Sequence, residues 1–314
     1  PTPTMSPPSS ANISTRDYIF FLGAYPLPPN TPVPYSTGLP HNNPLNSPPP
    51  SEPTSTLVLT SPNSTFIDIR ILRPTSTQEK ESVNEGGNYK RLEWGFAGTS
   101  RSYAIATPNS SSNSNPNSNE AMESGVTHSI WQHWLDSKHP LPIPPTSTHP
   151  ELEYPPDEGD MYPLSNNQTL EHGHAFSASP FPGSVDGGRE LAYEEMWSDV
   201  PILPTSSTGK SAGKKHCVVL RVEDLSAGVR GVVIRLGQYC QGILQQRDKT
   251  HVERWEFKED EQGGKGAWSW KRTHKIGDRF FPCAVTFEPE QLVVGKVVTY
   301  MEAVWVVEEL AEWD

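Results

Sequence analysis

In TFIDIRIL, residues 65 to 72, Ile67, Ile69 and Ile71 alternate with Asp68 and Arg70. A period of two sends successive side chains to opposite faces of an extended chain, so the stretch reads as a half-buried strand. Short β-like pieces recur at 17–25 (DYIFFLGAY), 91–98 (RLEWGFAG), 102–106 (SYAIA) and 126–136 (VTHSIWQHWLD). Toward the C-terminus the pattern becomes dense, and 217–223, 230–237, 239–246, 251–258, 267–275, 280–287, 292–301 and 303–309 predict eight strands. Val218, Leu220 and Val222 share one face, as do Val232, Ile234 and Leu236, with Arg221 and Arg235 opposite. Eight short strands with no convincing helix predict an antiparallel barrel, because closure removes unpaired edges. Within RGVVIRLGQYCQGILQQ, residues 230 to 246, Gly237 and Gly242 flank Cys240 and predict a sharp turn or kink there.

Composition sets where such a pattern can pack. Fourteen of the first 50 residues are proline, whereas residues 215 to 314 hold only Pro282 and Pro289 together with Trp255, Trp268, Trp270, Trp305 and Trp313. Segments 1–15, 26–56 and 74–90 are rich in Pro, Ser, Thr, Asn and Gly, and TPNSSSNSNPNSNEAMES (107–124) is an Asn/Ser run. Too little apolar surface there offsets the roughly 1–2 kcal/mol per residue that ordering costs, so these read as disordered tails and insertions. The division expected is a disordered tail at 1–15, a first barrel at 16–200, a linker at 201–215 (PILPTSSTGKSAGKK) and a second barrel at 216–314.

Charge and cysteine usage remove some functions. Of the net −12, residues 151–199 supply −10, from eleven acidic side chains against Arg189 alone. An acidic chain without a basic stripe lacks the phosphate-neutralising surface on which nucleic-acid affinity rests, so no nucleic-acid partner is expected. No apolar run is long enough for a membrane span or a signal-peptide core. Three cysteines without a C-x-x-C pair suit a reduced, cytosolic or nuclear setting.

Five blocks, LEWGFAGTS (92–100), WQHWLD (131–136), DEGDMYP (157–163), YEEMWSDV (193–200) and RGVVIRLGQYCQGILQQ, resemble in this order the fungal Hri protein family, named for an interaction with a casein kinase I. The resemblance spans about residues 17 to 310. It implies an all-β fold of two tandem lipocalin-like antiparallel β-barrels and a cytoplasmic and nuclear location. It brings no established activity and no catalytic residues. The lipocalin Gly-x-Trp signature is absent, since Gly95 follows Trp94 directly.

Each candidate chemistry has a plainer structural counterpart. TGKSAGKK (208–215) ends like a phosphate loop but has Pro204 where the first glycine belongs, so it reads as linker. Cys240 is a remote candidate nucleophile, with His216, His251 and His274 in the same domain but none assignable to it, and packs more simply as a small hydrophobe. In EHGH (171–174), His172 and His174 fall on one strand face and could share a metal, to which His149, Asp157, Glu158 and Asp160 could contribute in space. Two ligands are not a site, DEGDMY fails the calcium-loop spacing, and a solvated acidic hairpin is the plainer reading. No cofactor and no metal are expected. Trp94, Trp131 and Trp134 in the first domain, with Trp255, Trp270 and Trp305 in the second, either fill the barrels or line a cavity. Glu151, Glu153, Asp157, Glu158, Asp160, Glu194 and Glu195 form a candidate acidic surface for a protein partner. The reading is a non-enzymatic interaction protein, with the casein kinase I type as the partner the resemblance suggests. The alternative is a barrel for a small apolar ligand.

Overall fold

The computed structural model describes residues 11–39, 45, 47–77, 79, 84–106, 125–139, 141, 154–177, 188–205, 213–260 and 267–314. The Asn/Ser run 107–124, most of the tail 1–15 and part of the linker lie outside them.

Eight strands, β1 (Asn12–Ala24), β2 (Thr54–Thr60), β3 (Thr65–Leu72), β4 (Leu92–Ala104), β5 (Thr127–Asp136), β6 (Asp157–Pro163), β7 (Gln168–Ser177) and β8 (Arg189–Asp199), form an antiparallel barrel. It closes where β1 pairs with β8 as well as β2. Seven more, β9 (Lys215–Asp224), β10 (Val229–Leu236), β11 (Tyr239–Gln246), β12 (Lys249–Glu259), β13 (Trp268–Ile276), β14 (Val297–Tyr300) and β15 (Ala303–Trp313), make a curled half-barrel. Its order is β13-β12-β11-β10-β9-β15-β14. The molecule is therefore all-β and antiparallel throughout. Among the described residues no helix is long and apolar enough to cross a membrane.

The strand expected at 280–287 is instead a 3-10 turn over Pro282–Phe287, and only Val297–Tyr300 of 292–301 is strand. Prolines 282 and 289 offer no N–H to a ladder, and Gly295 turns the chain at φ +84°. The second sheet consequently stays open at β13 and β14. The 3-10 turn covers its concave face, with Phe281 and Cys283 packed against Val218, Leu220, Val233 and Trp305.

Gly237, at φ +53°, makes the two-residue turn between β10 and β11. Gly242 does not kink the chain: it lies in unbroken strand, where a Cβ would stand 2.6 Å from the Phe281 ring. Close approach of that ring is why the position takes glycine.

The half-buried reading of β3 also changes. Seven of its eight residues are buried, because each face has a separate partner. Ile67, Ile69 and Ile71 point out of the barrel and join Ile13, Leu57, Leu59, Ala97 and Leu135 against Val219, Val232, Ile234, Ile243, Val252 and Ile276 of the second sheet. Asp68 and Arg70 thus point into the lumen. Polar clasps fix the seam: Arg254 donates to the carbonyls of Ser55 and Ile69 (2.9 Å to the latter), Gln241 to Leu57 (2.9 Å), and Arg230 to Trp134 (2.9 Å). Ser61 and the Asn63 amide donate back to Glu309.

Part of the Pro-rich stretch 26–56 is packed rather than loose. Tyr35 lies against Phe20, Leu22 and Ala192, and residues 54–56 open strand β2.

Candidate functional site

Burial of the isoleucine face fixes what fills the barrel. By the same period of two, β8 sends Tyr193, Glu195 and Trp197 inward, and β7 sends Thr169, Glu171 and Gly173. β6 contributes Asp157 and Met161, β4 Phe96 and β5 Trp131. On β6 and β7 two inward positions carry no side chain. A Cβ on Gly159 would stand 2.8 Å from Glu171 Cγ, and one on Gly173 would stand 2.6 Å from the Tyr193 hydroxyl. These glycines make the room that Glu171 and Tyr193 occupy.

A charge network spans the deep part of the lumen. Arg16 pairs with Glu195 and, at 2.6 Å, with Glu52. Arg70 bridges Glu195 (3.1 Å) and Asp68 Oδ2 (2.9 Å), and its guanidinium lies 5.1 Å from the centre of the Trp94 ring and 5.9 Å from that of Trp197. Burial works against the charged form of Arg70, but Asp68, Glu195 and Asp157 outweigh it and hold its pKa well above the usual arginine value. A second group stands beside it. Glu171 accepts from Trp197 Nε1 (2.9 Å), and the Tyr193 hydroxyl lies 3.2 Å from Glu171 and 3.3 Å from Asp157.

Burial pushes the Glu171 carboxyl well up, with Glu195 and Asp157 adding repulsion. It raises Asp157 and Asp68 too, although Arg70 opposes it at both. Asp68 Oδ1 is buried and accepts no hydrogen bond. Above this network the lumen opens into a cavity of about 410 Å³. Its wall carries Phe66, Phe96, Trp131, Trp197, Met161 and several serines besides Asp68, Arg70, Asp157 and Glu171. Asn12, Arg101, Ser102 and Asp199 stand nearer the end where β1 begins and β8 ends.

The sequence candidates scatter relative to this cavity. Trp131 lines it, and Trp94 lies behind Arg70 with its Nε1 on Asp136 (2.8 Å). Trp134 belongs to the seam between the domains, under Arg221 and Arg230. In the second sheet Trp305 is fully buried, Trp270 stacks on Phe287 at 4.1 Å, and Trp255 meets Phe287 edge-on. These three help fill the concave face. Trp197 was not singled out; its spacing from Tyr193 and Glu195 in YEEMWSDV is the signal that could have found it.

The acidic residues divide as well. Glu158 and Asp160 flank His128 on the outside, and Glu151 and Glu153 lie outside the described residues. Asp157 and Glu195 face the lumen, while Glu194, fully buried, accepts from the amides of Tyr35 and Ser36 at 2.6 Å each. Much of the acidity read as surface is therefore interior. His172 and His174 lean on Glu194 and Glu190, so each has its own carboxylate. Lys214 and Lys215 reach Asp314, and 208–212 lie outside the described residues.

Cys240 is buried, with its sulfur 3.7 Å from Thr286 Oγ1. Burial and the neighbouring Cys240 push the Cys283 thiol well up. His216, His251 and His274 turn to Glu312, to Asp278 and Tyr89, and to Thr273.

Fold and lumen together define an antiparallel β-barrel protein with a ligand-sized, charged interior and an attached open β-sheet. The chain belongs to the HRI1 family: the family model described as Protein HRI1 matches residues 43–309. It is similar in fold to the crystal structure of the uncharacterised protein YLR301w from Saccharomyces cerevisiae. That match has a TM-score of 0.56 at 19% identity and covers 96% of this chain and 99% of that one. No curated protein matches the sequence.

Proposed function

We propose that this protein binds a small molecule in the lumen of its first barrel, without covalent chemistry. The carrying observation is the cavity of about 410 Å³ inside a closed eight-stranded barrel, lined by aromatic rings and by charged groups. Ligand sites are commonly clefts of roughly 300–1,000 Å³ with a few placed polar groups, and an eight-stranded barrel is wide enough to hold one small ligand. The carboxylates favour a ligand with a polar head over a wholly apolar one, since covering buried charge with hydrocarbon is costly. Native mass spectrometry of the protein purified gently from its own host, set against its denatured mass, tests this. A reproducible small-molecule increment is expected, and it should vanish in Ser102→Trp, which plugs the mouth. A bare polypeptide mass together with no response to any probe ligand would overturn it.

A protein-partner role has its own support in the second sheet. Among the described residues strand β14 pairs with β15 on one side and stands at the sheet edge on the other, and Val293, Val294, Val297, Val304 and Val306 are exposed beside it. An edge of this kind accepts an added strand from an extended peptide. The casein kinase I partner suggested by the family's name enters here as a proposal. Capture by a purified casein kinase I that Val297→Lys abolishes would support it, and unchanged capture would move the contact elsewhere.

A further inference from the structure

We propose that the ligand is an organic cation, a protonated amine on a slender apolar or aromatic body, with its ammonium among Asp68, Asp157 and Glu171 and its body against Phe66, Phe96 and Trp197. The inference rests on the lumen-binding reading above and adds the charge of the ligand. Deep in the cavity three carboxyls, Asp68, Asp157 and Glu171, stand against one guanidinium, Arg70, a formal excess of two negative charges when all three are ionised, while Asp199 and Arg101 are both exposed at the mouth. Behind the wall Arg16 and Glu195 offset each other. Three of the five N–H donors of Arg70, one on each nitrogen, already go to Asp68 and Glu195, so its charge is shared with two carboxyl groups before any anion arrives. Arg101 is solvent-exposed, where its charge is screened.

Two unmet demands deep in the cavity ask for donors. Asp68 is 3% exposed and its Oδ1 has no donor, whereas native proteins pair nearly all such atoms. Once both are ionised, the single hydroxyl proton of Tyr193 cannot serve Asp157 and Glu171 together, though it stands within 3.3 Å of one and 3.2 Å of the other. An ammonium group supplies three donors and a positive charge. Trp197, Phe66 and Phe96 line the same cavity and give a cation and its hydrocarbon body an aromatic wall.

Binding should depend on pH. The Asp157–Glu171 pair faces Tyr193 and Glu195 of β8, Arg70 and Asp68 of β3, and His133 of β5, and the two carboxyls hold protons above the usual carboxylate range. A cation favours their ionised forms, so its binding releases protons and weakens as the solution is acidified.

The test is calorimetric titration of the full chain with three probes of one shape: 2-phenylethylammonium, 2-phenylethanol and 3-phenylpropanoate. The ammonium is expected to bind at least about tenfold tighter than the alcohol, as one charge-assisted hydrogen bond would give, and more weakly at pH 5 than at pH 7.5. Asp68→Asn should lose about tenfold of that preference. Glu171→Gln, a second variant should the first fold poorly, should reduce the proton release seen between buffers of different ionisation heat. Tighter binding of the carboxylate, or equal binding of alcohol and ammonium, would overturn the cation assignment and leave lumen binding standing. Failure of all three probes would also overturn it, and the native mass would then decide the lumen reading separately.

Discussion

Arg70 is the residue on which the first barrel's interior turns. It faces Asp68, Glu195 and the ring of Trp94, all within the lumen, and its guanidinium pairs with both buried carboxyl groups. Replacing one partner of such a network leaves an unpaired buried charge, which costs about 3–5 kcal/mol. Arg70→Met is therefore expected to lower the melting temperature sharply at pH 7. It should lower it less near pH 4.5, where Asp68, already raised by burial, takes up a proton; equal losses at both pH values would argue against the network.

His251 gives the opposite pH sign from these raised carboxyls. Burial lowers its pKa to about 4, with Asp278 opposing and Arg279 and Lys275 reinforcing. Unfolding restores the ordinary value near 6.5, so between pH 6.5 and 4 the unfolded chain binds more protons and stability falls with acid. His251→Gln should flatten this limb of a melting temperature against pH curve, whatever it does to the absolute value.

At the scale of elements, Gly242→Ala probes the covered concave face. The added Cβ would stand 2.6 Å from the Phe281 ring, which must move off β11. Overpacking of this kind costs about 1–3 kcal/mol, measurable by urea unfolding. Phe281→Leu in the same chain should recover part of it.

How far the elements were legible follows from the same physics. The alternation in TFIDIRIL gives β3 its ends, residues 65 to 72, because a period of two survives whatever surrounds the strand. It does not say which face is inside. Isoleucines normally mark the interior, but here a second domain covers them and leaves Asp68 and Arg70 to the lumen. β6, β7 and β8 were obscured for a related reason, since their inward residues are carboxylates, glycines and aromatics and the segment reads as acidic surface. The extra strand expected over 280–287 fails on Pro282, whose missing N–H the apolar run around it disguises.

At the scale of the whole molecule, the two sheets share one core. The seam joins Leu57, Ile69 and Leu135 to Val219, Ile234 and Ile243, with Arg254 buried across it. Burial lowers the Arg254 pKa to about 10, yet its donors end on Ser55, Ile69 and Gln241. Calorimetry should show a single unfolding transition for the full chain. Arg254→Ala, which strands the carbonyl of Ile69 and the side chain of Gln241, should broaden or split that transition as the domains uncouple. A wild-type chain that already melts in two well-separated steps would contradict a shared core.

Such a core also gives the lumen its chemistry, because packing the isoleucine face outward is what turns the charged face inward. The most direct test is electron density in crystals of the protein isolated from its own host, viewed in the first barrel between Asp68, Glu171 and Trp197. The expected result is an open lumen with continuous density for a small molecule, an atom of it within hydrogen-bond reach of Asp68 Oδ1. A lumen collapsed on itself, with Trp197 closed onto the Phe66–Phe96 pair and Asp68 turned away, would contradict the account.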